Sequence, residues 1–118
     1  MSTERMRRVD EAIRQVIGEE LAGNLKDPRV GFVTVTDVRT SADLRHARVY
    51  VSVLGDSTRR ESSMAGLHSA HGYLQAKVAS ELGLKRTPTL AFIYDESTDR
   101  ALRLQALIAQ EEETSHGE

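Results

Sequence analysis

The stretch SAHGYLQAKVASEL, residues 69–82, has the apolar spacing of a helix but carries a glycine near its start. With the residues before it, one apolar face recurs every three or four positions: Met64, Leu67, His71, Leu74, Val78 and Leu82. A glycine in a helix interior costs about 1 kcal/mol relative to alanine. The helical pattern, from about residue 58 to Gly83, is also longer than the roughly 8–20 residues of most globular helices. We therefore predict two helices separated near Gly72.

The residues before this pattern predict one helix and a β-hairpin. A helix over about 4–24, with Thr3 as its N-cap, presents one apolar stripe made of Met6, Val9, Ile13, Val16, Ile17 and Leu21. Residues 31–39 and 46–54 are rich in β-branched side chains and predict two strands, which a turn at 41–44 joins in antiparallel order. In the second strand, apolar residues alternate with polar ones, so one face of the sheet is covered: Ala47, Val49, Val51 and Val53.

The residues after Gly83 predict a third strand and a short last helix. Thr87-Pro88 favours extended backbone, and TLAFIY, residues 89–94, has strand composition. Asp95-x-Ser97 fits a helix cap, and the short helix after it is expected to point four residues inward: Ala101, Leu104, Leu107 and Ile108. The predicted order is α-β-β-α-α-β plus a short C-terminal helix, a two-layer α+β domain over residues 1–110.

Composition restricts the class of protein. Hydrophobic residues make up 39% of the chain and charged residues 29%, as in an ordinary globular domain, and no apolar run approaches the roughly 20 residues of a membrane span. The absence of cysteine excludes thiol nucleophiles and thiolate metal sites, and we expect a cytoplasmic protein. The net charge is −2, but four of the 18 acidic residues lie in EEETSHGE, residues 111–118, which we predict to be a disordered acidic tail.

The element order, with a glycine between consecutive helices, resembles the type II K-homology (KH) domain. Such domains approach nucleic-acid backbone through a GXXG loop, which is absent here; the junction instead has the sequence Ala70-His71-Gly72. That tripeptide resembles the Ala-x-Gly junction of the ribosome-binding factor A family. Over about residues 4–97 the chain is similar to this family in four further stretches: DPR (27–29), VTVTDV (33–38), Asp43-Leu44 with ARVYVSVLG (47–55), and LKRTPTLAFIYDES (84–97). One departure is Lys85, where the family usually has arginine.

The resemblance implies an assembly factor that acts by binding. Members of the family bind free or immature 30S ribosomal subunits and assist late maturation of 16S ribosomal RNA, notably at its 5′ end, and they are linked to growth in the cold. The family has no known catalytic activity. We therefore expect no enzyme activity, cofactor, metal, membrane partner or small-molecule substrate, and a monomer whose partners are the 30S subunit and its 16S RNA.

The candidate RNA contacts are the junction and a set of basic residues on nearby elements: Ala70, His71, Gly72, Lys77, Lys85, Arg86, Arg7, Arg8, Arg45 and Arg48. A residue without Cβ lets phosphates come close, and the N-terminus of a helix favours an anion. Two structural alternatives stay open: Gly72 only kinks a helix pair so that it can pack, and the charges only solvate the surface. Glu11 is also spaced to pair with Arg7 and Arg14.

Three further features concern what else the protein could bind. His68 and His71 are three residues apart, which could place two imidazoles on one metal, although His71 as a partly buried stripe residue is the simpler interpretation. Among the aromatic residues, Tyr50 could stack on a base, whereas Phe32 and Phe92 are expected in the core. The alternative to an RNA-binding factor is an α+β protein-interaction or dimerisation module with the same architecture.

Overall fold

The computed structural model describes residues 3–25 and 27–116 as four helices and a three-stranded sheet. The helices are α1 (Thr3–Glu19), α2 (Ser57–Ser69), α3 (His71–Leu82) and α4 (Ser97–His116); the strands are β1 (Val33–Thr40), β2 (His46–Val53) and β3 (Thr89–Tyr94). A π-helical segment, Glu20–Asn24, continues α1, so the predicted first helix is present but its last turn is wider. The predicted α-β-β-α-α-β order and the α+β class are confirmed.

The sheet places β2 in the centre, antiparallel to β1 and parallel to β3. The predicted hairpin is therefore confirmed. The parallel connection from β2 to β3 requires a crossover, and α2 with α3 supplies it. In register, Val49 lies opposite both Val38 of β1 and Phe92 of β3, and all three are buried. One face of the sheet thus carries a continuous apolar layer under the helices.

The predicted apolar stripes meet on that layer. The buried members come from the three helices and three strands before α4: Val9, Ile13, Ile17, Val35, Val38, Ala47, Val49, Val51, Leu67, Leu74, Val78, Leu90 and Phe92. Of the residues predicted to face the core, Met6, Val16, Leu21 and Val53 are half-buried at its margin. At the far end of β1, the Thr40 amide and hydroxyl both donate to the Asp10 carboxylate, which fixes α1 against the strand.

A β-bulge at Thr36 explains why β1 does not alternate regularly. Val35 pairs with Val51 and Asp37 with Tyr50, so Thr36 is the extra residue between them. Without it, Val38 would face away from the core, because residues three apart on a regular strand lie on opposite faces.

The chain that leads into β1 packs on two small residues of α2, Ser63 and Gly66. The Gly31 amide donates to the buried Ser63 hydroxyl at 3.2 Å. One turn later, a Cβ on Gly66 would lie only 2.6 Å from Cγ2 of Val30. Residues 29–31 therefore pack directly on α2, and Gly66 is required for that close approach.

Asp95 connects the bulge to the start of α4. Its Oδ2 accepts the Thr36 hydroxyl at 2.6 Å, and its Oδ1 accepts the Ser97 amide at 2.9 Å. The second bond closes a turn just before α4 and is not a cap, since Glu96 holds the N-cap position and its carbonyl accepts the Arg100 amide at 3.0 Å. The predicted cap at Asp95-x-Ser97 is therefore wrong. Hydrogen bonds from Ser97 and Thr36 hold the pKa of Asp95 below its ordinary value. The ionised carboxylate therefore stabilises the folded chain, and this stabilisation is present above about pH 4 and is lost as the pH falls through the lowered pKa.

Replacing Asp95 with alanine should lower the free energy of unfolding at pH 7 by about 1–2 kcal/mol, because two hydrogen bonds to its carboxylate are lost. Asp95→Asn is the matched control, since it keeps acceptor capacity but does not titrate. Urea unfolding from pH 7 to pH 2 should show wild type losing more stability below pH 4 than Asp95→Asn. Parallel pH profiles for the two proteins would contradict this role of the carboxylate.

The C-terminal helix differs from its prediction. It is 20 residues long rather than short, and the residues predicted to point inward are exposed: Ala101, Leu104, Leu107 and Ile108. The prediction was wrong because an apolar stripe indicates that a helix packs on some apolar surface, but not that this surface is the sheet. Here α1, α2 and α3 already cover the sheet. Residues 111–116, predicted to be disordered, continue the helix; residues 117–118 lie outside the described part of the chain.

Among the described residues, no helix combines the length and apolarity needed to cross a bilayer.

Candidate RNA interface

The predicted helix break is confirmed and lies at Ala70. This residue has φ −85° and ψ 3°, between the strand and helix regions, and it separates α2 from α3. The Ala70 amide donates to the Gly66 carbonyl at 3.0 Å, and the Ala70 carbonyl accepts the Leu74 amide at 3.0 Å. The chain therefore changes direction with little loss of backbone hydrogen bonding.

Gly72 lies in the first turn of α3 and is exposed. A Cβ built on it meets no other atom within 4 Å, and its backbone needs no left-handed conformation. The alternative that Gly72 serves helix packing is therefore not supported, since Gly66 is the glycine that a close contact requires. No contact in the described part of the chain explains the absence of a side chain at position 72.

His68, His71 and Gln75 lie along one face of α2 and α3 and bind the outer edge of β3. His71 Nε2 donates to the Leu90 carbonyl at 2.7 Å, and His68 Nε2 approaches the Phe92 carbonyl at 3.5 Å. The Gln75 side-chain amide binds the backbone on either side of Thr89: its Nε2 donates to the Pro88 carbonyl at 2.8 Å, and its Oε1 accepts the Leu90 amide at 2.9 Å. These side chains pair edge groups that a neighbouring strand would otherwise take.

This arrangement explains both histidines without a metal. The His71 ring also packs edge-on against Phe92, with 6.2 Å between ring centroids. Within residues 3–25 and 27–116, no group of three or more His, Asp or Glu side chains could hold a metal ion. The His71 imidazole points toward the sheet, so any contact of His71 with RNA would involve its backbone.

Lys77 forms ion pairs with two carboxylates of the protein itself. Its Nζ lies 3.8 Å from Oε1 of Glu20, whose side chain is 2% exposed, and 3.8 Å from Oε1 of Glu81 at the surface. The Tyr73 hydroxyl donates to the same Glu20 oxygen at 3.1 Å, and this bond to a carboxylate raises the pKa of Tyr73. Oε2 of Glu20 is buried without a partner in the described part of the chain. The network of Glu20, Tyr73 and Lys77 holds α3 against the end of α1.

Lys85 and Arg86 lie in the loop that leads into β3, and Arg45 directly precedes β2. The loop 83–88 runs back from the end of α3 toward Gln75, and the Thr89 amide donates to the Arg45 carbonyl at 2.8 Å. All three basic side chains are exposed, and none forms an ion pair with any described residue. This set, with the Ala70–Gly72 junction, is the candidate interface.

The other predicted contacts are more dispersed. Arg8 pairs with Glu4 at 3.1 Å and lines a groove with Leu82 and Leu84, close to Lys85. Arg7 and Arg14 are exposed, and the alternative pairing with Glu11 is not formed by the described side chains. Arg48 lies on the uncovered face of the sheet beside Tyr50, to whose hydroxyl it donates at 3.5 Å. It is therefore separated from the helical junction by the sheet.

Sequence reasoning missed two residues beside the interface and misplaced a third, Phe32, which lies away from it. Gln75 gave no signal, because its partners are backbone groups of a distant strand. Glu20 did give one: it follows Ile13 and Ile17 at helical spacing, which places an acidic residue on an apolar face. Phe32, expected in the core, is instead 80% exposed; it lies just before β1, which begins at Val33.

Comparisons with known proteins identify the family. The crystal structure of ribosome-binding factor A from Thermus thermophilus is similar with a TM-score of 0.69 at 27% identity, covering 78% of this chain and 97% of that one. The solution NMR structure of the Thermotoga maritima protein TM0855, a candidate ribosome binding factor A, has a TM-score of 0.70 at 31% identity over 82% of this chain and 92% of that one.

A third similar structure is a homology model of the Thermus thermophilus factor fitted into the cryo-EM map of its complex with the 30S subunit. It has a TM-score of 0.62 at 29% identity and covers 74% of this chain and 91% of that one. The family model for ribosome-binding factor A matches residues 5–108, from α1 into α4. The chain therefore belongs to the ribosome-binding factor A family, a family of ribosome-binding factors and not of known enzymes.

Proposed function

We propose that this protein binds the 30S ribosomal subunit and that RNA backbone lies against the Ala70–Gly72 junction. The observation that carries the proposal is Gly72, an exposed helical glycine for which the described fold has no packing need. An RNA strand that approaches the start of α3 would explain it, because a Cβ there would separate phosphate from backbone. The Thermus thermophilus relative, fitted into a 30S complex, supports the choice of partner.

Lys85, Arg86 and Arg45 supply the attraction in this proposal. All three are exposed and form no ion pair with a described residue, although Asp43 lies beside Arg45 and accepts its backbone amide at 3.1 Å. The junction lies at the start of α3, and Lys85 and Arg86 follow its end, so an RNA strand following α3 would meet both. Phosphate contacts of this kind position a protein on RNA without reading sequence.

In its finer form, the proposal is that binding assists late maturation of 16S ribosomal RNA at its 5′ end. The protein would act as a cytoplasmic monomer, without catalysis, cofactor or small-molecule substrate, and it would favour the correctly folded RNA by its higher affinity for that state. Such a preference would matter most in the cold, where misfolded RNA helices exchange slowly. Measuring 16S 5′-end processing at low temperature in cells that lack this protein tests this part.

Sedimentation with free 30S subunits and with whole ribosomes tests the binding itself. We expect comigration with free subunits, and a steep loss of binding between about 50 and 200 mM salt, since phosphate contacts release counterions. The double variant Lys85→Glu/Arg86→Glu should weaken binding and reduce the salt dependence. Arg100→Glu/Arg103→Glu, on exposed α4, makes the same charge change away from the interface and should have a smaller effect.

Two outcomes would contradict the proposal. Salt-insensitive binding would mean that phosphate contacts do not dominate, and equal loss with both double variants would mean that the interface is misplaced. The exposed apolar stripe of α4 favours one alternative function, a protein-interaction or dimerisation module. RNase-insensitive self-association without comigration would support that module instead.

A further inference from the structure

Phe32 and Leu54 expose two large apolar side chains at the open end of the hairpin. Phe32 is 80% exposed and Leu54 is 73% exposed. The Leu54 amide donates to the Phe32 carbonyl at 3.0 Å, so the two residues lie opposite each other just beyond the paired Val33 and Val53. Burial in the fold explains neither side chain.

The two residues border a groove of about 700 Å³ between the start of β1 and the first turn of α2. Its other lining residues include Pro28, Val30 and Arg59. The volume suits an occupant of small-molecule size rather than a protein surface, because ligand pockets commonly measure roughly 300–1,000 Å³. The groove therefore fits one or two nucleotide units better than a packed helix or strand.

Arg59 is the only charged residue among the described lining residues. Its alkyl chain passes over two glycines: a Cβ on Gly55 would lie 2.7 Å from Arg59 Cγ, and one on Gly31 would lie 3.8 Å from Arg59 Cδ. Gly55 also has a φ of +128°, which side chains rarely adopt. The sequence around the groove thus leaves a specific space for the Arg59 side chain.

No described carboxylate neutralises Arg59. Asp56 accepts the Arg59 backbone amide at 2.9 Å as the cap of α2, and Asp27 pairs with Arg29 at 2.9 Å. Arg59 forms no ion pair with the described residues. The groove therefore offers an exposed aromatic ring, an apolar wall and one uncompensated guanidinium.

We propose that this groove holds one unpaired nucleotide of a single-stranded RNA segment, with its base against Phe32 and its phosphate on Arg59. Aromatic faces stack on bases of any sequence, and guanidinium groups bind phosphate through paired hydrogen bonds. The groove's lack of acidic lining residues favours an anionic ligand. The proposal extends the proposed function, since it assumes that the protein meets ribosomal RNA.

The groove is separate from the junction. Arg59 is in the first turn of α2 and Ala70 follows its last residue, which places them about 16 Å apart along the helix at about 1.5 Å per residue. The β3 edge, with its histidine and glutamine partners, lies beside α3 rather than beside β1. RNA contacting the groove would therefore meet a second part of the protein.

Phe32→Trp provides a direct probe, because the chain contains no tryptophan. Titrating the full-length variant with single-stranded hexauridylate and hexaadenylate should quench its emission, and adding Arg59→Gln should weaken the apparent affinity roughly tenfold. Leu107→Trp, on exposed α4, is the matched control and should not respond. In the wild-type background, Phe32→Ala should weaken 30S binding roughly tenfold without changing the melting temperature.

The outcomes separate this proposal from the proposed function. If hexanucleotides leave Phe32→Trp emission unchanged, the nucleotide assignment is wrong, even if Phe32→Ala weakens 30S binding; that combination would indicate a ribosomal protein in the groove. If hexanucleotides quench the Phe32→Trp emission and Arg59→Gln weakens their apparent affinity, the groove binds nucleotides, even if wild type fails to comigrate with 30S subunits. Unchanged Phe32→Trp emission together with normal 30S binding by Phe32→Ala, when Lys85→Glu/Arg86→Glu loses 30S binding, would support the junction and reject the groove.

Discussion

The Gly72→Ala variant is expected to be at least as stable as wild type and to bind the 30S subunit roughly tenfold more weakly, a loss of about 1.4 kcal/mol. Alanine in a helix interior is favoured over glycine by about 0.5–1 kcal/mol, and a Cβ at position 72 meets no described atom within 4 Å outside its own turns of helix. The added methyl group would instead occupy the space where RNA backbone approaches α3. Urea unfolding and sedimentation with 30S subunits measure the two effects separately.

Gly66→Ala is the matched control, since it makes the same chemical change six positions earlier, in α2. Its Cβ would lie 2.6 Å from Val30 Cγ2 and 3.3 Å from the Val30 amide nitrogen. Valine has little rotameric freedom and backbone cannot yield easily, so we expect a loss of about 1–3 kcal/mol in the free energy of unfolding. If Gly72→Ala instead lowers stability while binding stays normal, the junction serves the fold and the proposed interface is wrong.

Lys77→Met is expected to lower the free energy of unfolding by about 2 kcal/mol, because it leaves the Glu20 carboxylate buried without a cation. Removing one partner of a fully buried pair costs about 3–5 kcal/mol, and the 41% exposure of Lys77 reduces that figure. The double variant Glu20→Met/Lys77→Met should recover most of the loss, since apolar side chains of similar length require no partner. Urea unfolding of the three proteins measures the coupling.

Glu81→Gln separates the buried contact from the surface contact of the same ammonium group. Lys77 lies 3.8 Å from both carboxylates, but Glu81 is 53% exposed, and surface pairs contribute about 0–1 kcal/mol. We therefore expect a small change with Glu81→Gln. A double variant less stable than Lys77→Met alone would show that the Glu20 carboxylate stabilises the protein without the lysine, which would overturn this account.

The sequence predicted those parts of the fold that depend on periodicity. The stripe containing Leu67, Leu74 and Val78 defines which faces of α2 and α3 are buried, and the alternation in β2 defines its covered face. The break between the helices followed from the length of the pattern together with Gly72. These features are local in sequence, because side chains three or four residues apart on a helix, and two apart on a strand, share a face.

Features that depend on distant partners could not be predicted in this way. The bulge at Thr36 is stabilised by Asp95, and Lys77 is paired with Glu20, in both cases across more than 50 residues of chain. The long α4 shows another limit: its stripe of leucines has helical spacing, but spacing alone does not indicate whether a partner lies in the same molecule. Among the proposed contacts, Gly72 was suggested by the helical pattern and the family resemblance, and Lys85 and Arg86 by their position just beyond the second helix, whereas Phe32 was assigned to the core.

The hydrogen bonds from His71 and Gln75 of α3 to the outer edge of β3 have one more consequence. With the Pro88 carbonyl and both backbone groups of Leu90 already bonded to side chains, an extended tail from another protein would find no vacant donors or acceptors along that stretch. Growth of the sheet by recruitment of a fourth strand is therefore blocked there. An extended segment of any partner would have to use another surface of the protein.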